Sequence, residues 1–97
     1  MRIVARKILV DFSAQHPDAK GQLETWWHLV KRADWGSPQE VKNELPKASI
    51  VADNRVVFDI CGGSYRLVVK FNYPYRMGYI RFIGTHGDYD KIDVTKV

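Results

Sequence analysis

Asn54–Tyr73, NRVVFDICGGSYRLVVKFNY, contains two short runs that can each form a β-strand, with CGGS at Cys61–Ser64 breaking the chain between them. The second run alternates. Tyr65, Leu67, Val69, Phe71 and Tyr73 fall on one face, while Arg66, Val68, Lys70 and Asn72 fall on the other. A sheet whose strands alternate in this way buries one face and leaves the other more polar. Moving upstream, Ala48–Ile60 holds two β-branched runs separated by Asp53-Asn54, a hairpin signal without the usual glycine. Moving downstream, PYRMG at Pro74–Gly78 marks a further turn, and YIRFIGTH from Tyr79 to His86 reads as the last strand of an antiparallel meander.

The amino-terminal half has a different period. RIVA at Arg2–Ala5 suits a short edge strand. In ARKILVDFSAQH, Ile8 and Phe12 lie four apart with Leu9 adjacent, a helical stripe that Pro17 closes at His16. Asp18 is the expected N-cap of the next helix, in which Leu23, Trp26, Trp27 and Val30 build a broad apolar face. Both tryptophans are read as core or helix–sheet packing. WGSP at Trp35–Pro38 ends that helix, SPQEVKNELP makes a helical turn closed by Pro46, and DYDKIDV suits a short terminal helix. The expected class is α+β: a short N-terminal strand, two helices packed on one face of a small antiparallel sheet, and a short C-terminal helix.

Ninety-seven residues suit a single domain spanning 1–97. Apolar residues at 45% and charged residues at 27% describe a soluble globular chain. No apolar run reaches membrane-spanning length and Met1–Phe12 is interrupted by charge, so no membrane partner is expected. One cysteine excludes an internal disulfide framework and favours a cytoplasmic setting. Cys61 is read as a small buried turn residue.

The formal net charge is +4. From Asn54 to Thr85 there are five basic residues, Arg55, Arg66, Lys70, Arg76 and Arg81, against one acid, Asp59. A basic sheet suits a phosphate backbone, although Arg and Lys also simply solvate an open sheet face. Phosphate-loop, dinucleotide, GxSxG and CxxC motifs are absent, and His16, His28 and His86 lack metal-ligand spacing. Asp88, Asp90 and Asp93 do not make a calcium loop, so neither a metal nor a cofactor is expected.

The remaining polar set is Arg66, Lys70, Arg81, His86, Tyr89 and Lys91. Cutting RNA through its own 2′-hydroxyl needs a base, cations on the phosphate and an acid at the leaving oxygen. Histidine can act as base or acid, arginine grips phosphate oxygens in two-point fashion, and tyrosine suits the acid or a hydrogen bond. Each residue also has a structural role open to it: Arg66 as an open-face arginine, Arg81 paired with a terminal aspartate, His86 at a turn, Tyr89 plugging the sheet edge. Arg81 alternates with Tyr79 and Ile83, whereas His86 has the opposite parity. A bend or bulge at Gly84 is the expected device for bringing them together. Asp90 is read as orienting its neighbours or capping the terminal helix.

The YRL of Tyr65–Leu67, the THGDYDKID of Thr85–Asp93, the His16-Pro17 helix end, the paired tryptophans and the WGSP element together resemble the HigB family of bacterial toxins, a branch of the RelE-like superfamily. The resemblance covers essentially the whole chain. It implies a metal-independent endoribonuclease that cuts mRNA on the ribosome and halts translation. A HigA-type helix-turn-helix antitoxin is the implied partner, with DNA contacted only through the antitoxin complex. By the resemblance, Arg66 matches the strand arginine at the scissile phosphate, and Arg81, His86 and Tyr89 complete the catalytic set. Arg55, Lys70 and Lys91 are the expected RNA-binding cations. Relatives often carry an asparagine before YRL where this chain has Gly62-Gly63-Ser64. The alternative is a module of the same fold that binds RNA or a partner without cutting.

Overall fold

The carboxyl-terminal half of this chain is mostly a sheet with two differently covered faces. The computed structural model describes residues 1–97. Its elements run β1 (Arg2–Val4), α1 (Arg6–Gln15), α2 (Lys20–Arg32), α3 (Pro38–Glu44), β2 (Ser49–Val51), β3 (Arg55–Ile60), β4 (Tyr65–Asn72), β5 (Met77–Thr85) and α4 (His86–Tyr89). The sheet order is β1-β5-β4-β3-β2. Strands β2 to β5 form the expected antiparallel meander. The N-terminal strand makes the sheet mixed, because β1 lies parallel to β5, with Arg2 beside Met77 and Val4 beside Tyr79. A parallel neighbour requires a long crossover, and here most of the chain supplies it.

The alternation along β4 is realised in full. Tyr65, Leu67, Val69, Phe71 and Tyr73 are all buried in one core with Leu9, Leu23, Trp26, Val30, Trp35 and Val41 from the helical side. Trp26 meets Phe58 edge-on at 5.3 Å and Trp35 meets Phe71 at 5.8 Å between centroids. Such edge-to-face pairs add to the burial of their apolar area. The Asp53-Asn54 hairpin forms with both residues at φ 61°, a left-handed conformation that short polar side chains tolerate.

Several local expectations change on packing. Leu9 and Phe12 carry the inner stripe of α1, while Ile8 is exposed. Trp27 is only partly buried; Arg6 stacks over its ring at 4.1 Å and Lys31 at 4.6 Å. Asp18 does not cap α2, whose first turn follows a short 3-10 turn at Pro17–Ala19. Its carboxylate instead accepts the Tyr65 hydroxyl at 2.8 Å, tying the helical layer to the sheet. Cys61 is half-buried, and its thiol donates to the Asp18 carbonyl at 3.4 Å.

The Tyr73 hydroxyl is buried without a hydrogen-bond partner. Burial pushes this phenol up to about 12 from an ordinary 10.0. A raised folded-state pKa means that the unfolded chain loses its proton first as pH rises. Stability supplied by the neutral phenol is therefore complete below pH 10 and is lost progressively as pH climbs through 12. Tyr73→Phe is expected to fold at least as well as the parent at pH 8 and to show a shallower alkaline decline. Thermal melts at pH 8 and pH 11 check this; identical alkaline slopes would remove Tyr73 from the account.

Candidate functional site

The sheet face turned away from the helical core has its own apolar row. Register places Val57 beside Val68, and Val68 beside Phe82. Val57 and Val68 are 4% and 0% exposed although they face away from the main core. The Tyr89 ring of α4 lies 6.3 Å from Phe82 at one end of this row. Beyond α4 the chain returns across β4 to β3, where Arg55 donates to the Val97 main-chain oxygen from Nε at 2.8 Å and from Nη2 at 2.6 Å. The middle of the second face is thus closed, and its two ends are polar.

At the first end, Asp59, Arg66 and Gly84 form one cross-strand row. Arg66 Nη1 donates to Asp59 Oδ1 at 2.5 Å, and the guanidinium carbon stands 5.8 Å from the Tyr89 ring centre. Its other neighbour is Gly63, where φ is 96° and any Cβ would lie 2.9 Å from Arg66 Nη1. Gly63 therefore serves both the left-handed turn and the close approach of the arginine. The α4 turn is fastened to this end by its main chain, as His86 N donates to the Ser64 carbonyl at 3.0 Å.

Residue order explains why α4 starts where it does. Thr85 Oγ1 accepts from Asp88 N at 3.1 Å while Asp88 Oδ2 accepts from Thr85 N at 3.4 Å. This reciprocal pair is a capping box, so Thr85 and Asp88 cap the start of the helix, and Asp90 stands at its C-cap. Helix phasing then puts His86 and Asp90 on one side, with His86 Nδ1 3.1 Å from Asp90 Oδ2 and both side chains more than half exposed. A carboxylate beside Nδ1 leaves the other ring nitrogen, Nε2, without a hydrogen-bond partner in the chain, an arrangement open to acid–base work. The Tyr89 hydroxyl makes no hydrogen bond within the chain.

The second end is built by a bulge. Val68 pairs with Phe82 but Val69 pairs with Ile80, so Arg81 is the extra residue of β5. The parity change expected of Gly84 occurs at Arg81 instead. Gly84 has a regular partner, Arg66, and must be small because a Cβ there would lie 2.7 Å from Phe82 Cζ and 3.2 Å from Asp88 Cβ. Gly84→Ala is expected to push the Phe82 ring, and Tyr89 with it, out of place. Overpacking of this kind costs about 1–3 kcal/mol. Urea unfolding of the variant measures the cost, and an unchanged midpoint would show that the ring has room to move.

Around the bulge, Lys70, Tyr79 and Arg81 line a groove with Asn54 and Asn72. Lys70 Nζ reaches Asp53 Oδ2 at 3.4 Å, and Arg55 Nη1 reaches the same oxygen at 2.9 Å. Hydrogen bonds from Arg55, and then from Lys70, hold the Asp53 carboxyl below the usual range. Asp34 pairs with Arg76 at 2.6 Å. Of the five basic sheet residues, only Arg81 has no carboxylate partner.

The structure brings Arg66, Tyr89 and His86 to one end of the face. Arg81 and Lys70 gather at the other, Lys91 is exposed just after α4, and Arg55 is buried against Val97 and Asp53. Asp59 and Asp53, which neutralise much of the basic sheet, were not singled out from sequence. Cross-strand register is the signal that would have found Asp59, since it sits directly opposite Arg66. No group of three or more His, Cys, Asp or Glu side chains is placed to hold a metal ion.

Comparison with known proteins bears on this geometry. Residues 19–92 match the HigB toxin family, described as the RelE-like toxic component of a toxin–antitoxin system. The mRNA interferase HigB of Escherichia coli O6:H1 is 20% identical over 94 residues, which cover 95% of this chain and 91% of that protein. The mRNA interferase toxin HigB of Escherichia coli K12 is 25% identical over 92 residues, covering 93% and 88%. The mRNA interferase HigB of Shigella flexneri matches to the same extent.

Proposed function

We propose, because this chain belongs to the HigB family of RelE-like toxic components of toxin–antitoxin systems, that it halts translation by cutting mRNA. Cleavage is metal-independent and takes place on the ribosome. The observation that supports the reading is a strand arginine 5.8 Å from the Tyr89 ring, with a histidine beside a carboxylate in the same short helix as that tyrosine.

In this reading Arg66 holds the scissile phosphate with its two-point fork and supplies the positive charge that the crowded phosphorus requires. His86 Nε2 removes the proton of the substrate's 2′-hydroxyl, with Asp90 at Nδ1 holding the ring. The 2′-oxygen attacks phosphorus, the bond to the 5′-oxygen breaks, and Tyr89 donates its hydroxyl proton toward that leaving oxygen. The products are a 2′,3′-cyclic phosphate and a free 5′-hydroxyl. Asp59 occupies Arg66 in the free protein, so the incoming phosphate takes the place of a carboxylate. Lys70 and Lys91 contact flanking RNA, while Arg55 serves the interior.

A HigA-type helix-turn-helix antitoxin is the neutralising partner, mRNA and rRNA are the nucleic-acid contacts, and DNA is met only through the antitoxin complex. We place the single toxin domain in the cytoplasm; no helix is long and apolar enough to cross a membrane. His86→Ala is expected to lower cleavage about 10²–10⁴-fold, the usual contribution of a positioned acid or base. Primer extension on mRNA from induced cells reads this directly. Parent-level cleavage by the variant, or intact mRNA during growth arrest by the parent, would reject the assignment, the latter in favour of a non-cleaving binder.

A further inference from the structure

We infer that the groove beside Arg81 holds a nucleotide flanking the one that is cut, with Arg81 on its phosphate and Tyr79 against its base. The inference rests on the mRNA-cleaving reading above and adds a second binding position to it. Arg81 is the bulged residue of β5, and that extra residue turns it to the side of Lys70 and Tyr79. Of the five basic residues between Asn54 and Thr85 it is also the only one without a carboxylate partner, so its charge is available to an anion. The groove has a volume of about 570 Å³. Sites that hold small ligands measure about 300–1,000 Å³.

Its lining suits a nucleotide better than a bare phosphate. Tyr79 is half-buried, and its hydroxyl touches only Met77 Sδ at 3.7 Å, leaving a ring face for stacking. Asn72 Oδ1 accepts from Tyr75 N at 3.4 Å, which leaves the amide NH₂ for the edge of a base. Asn54 offers a second amide at the mouth. A cation beside an aromatic ring and amides is how single-stranded RNA is gripped and read.

Position separates this groove from Arg66. The bulge lies between the pairings of Val68 and Val69, two to three residues beyond Arg66 along β4. At the usual rise of a strand that is roughly 8 Å. Phe82, paired with Val68, lies between them in the strand register. Two arginines separated in this way on the strands are suited to different phosphates of one RNA strand.

The test compares wild type with Arg81→Ala, Tyr79→Ala and Tyr79→Phe. Cut ends are mapped on cellular mRNA, and purified protein is titrated with single-stranded RNA of increasing length, with ribosome association measured alongside. Tyr79→Ala is expected to weaken oligonucleotide binding roughly 5- to 100-fold and flatten the base preference next to the cut, while Tyr79→Phe retains both. Arg81→Ala is expected to lower the slope of log affinity against log salt by about one. Unchanged binding and unchanged flanking preference in the Ala variants would overturn the inference while the parent still cuts. Loss of ribosome association with preference intact would also overturn it, placing rRNA in the groove. Wild-type protein that leaves mRNA whole would sink the cleavage reading, and this one with it.

Discussion

Arg66→Ala is expected to lower mRNA cleavage by about 10²–10³-fold, the usual penalty for removing one preorganised charge donor from a reacting centre. The side chain is held from three directions: Asp59 at 2.5 Å, the Gly63 backbone beneath it and the Tyr89 ring at 5.8 Å. Its head is therefore placed before substrate arrives, and little of its binding energy goes into ordering it. Arg66→Lys is expected to recover only a small part, because an ammonium cannot offer two parallel donors to a phosphate. The fold should tolerate both variants. Asp59 is half exposed and is rehydrated when its partner leaves, so the lost ion pair is worth about 1 kcal/mol or less. Primer extension gives the rate and thermal melting the stability. Cleavage by Arg66→Ala at the parental rate would take Arg66 out of the mechanism.

Phe71→Ala is expected to destabilise the fold by about 3–5 kcal/mol. Phe71 is 2% exposed near the end of β4, stacked on Tyr73 at 5.6 Å and edge-on to Trp35 at 5.8 Å and Phe58 at 6.4 Å. On β5 it faces Gly78, whose missing side chain makes room for it: a Cβ there would lie 2.9 Å from Phe71 Cε1. Rigid strands on both sides limit how far this pocket can collapse, which favours the upper part of the range. For 97 residues a total stability of about 5–15 kcal/mol is ordinary. The variant should thus lose a large share of its folding free energy, and toxicity in cells should fall with the folded population. Urea unfolding measures the loss; a change under 1 kcal/mol would mean that the aromatic cluster repacks around the hole.

The helical layer and the meander were legible because burial imposes a period. Leu67, Val69 and Phe71 in β4, and Leu23, Trp26 and Val30 in α2, recur at the spacing of the face they bury. Legibility ended where a side chain's partner is remote in sequence. Nothing local to Asp18 shows that it meets Tyr65 across 47 positions, and nothing local to Arg55 shows that it turns inward to Val97. The candidate site was legible by residue type, since Arg66, His86 and Tyr89 are the side chains that its chemistry requires. Its layout was not: the bulge at Arg81 is visible only in the pairing of Val68 with Phe82 and Val69 with Ile80.

Sequence alone determined the strand and helix order, the buried face of β4 and the identity of the chemical groups near the carboxyl end. These follow from alternation, helical spacing and turn residues, all of which act over a few neighbouring positions. Tertiary structure alone decided that β1 lies parallel to β5, that Asp59 and Asp53 neutralise much of the basic sheet, and that Arg66 and Arg81 fall on either side of the Val68–Phe82 pair. Charge pairing and strand register depend on distances between segments far apart in the chain. Local pattern carries no information about those distances until the core has closed.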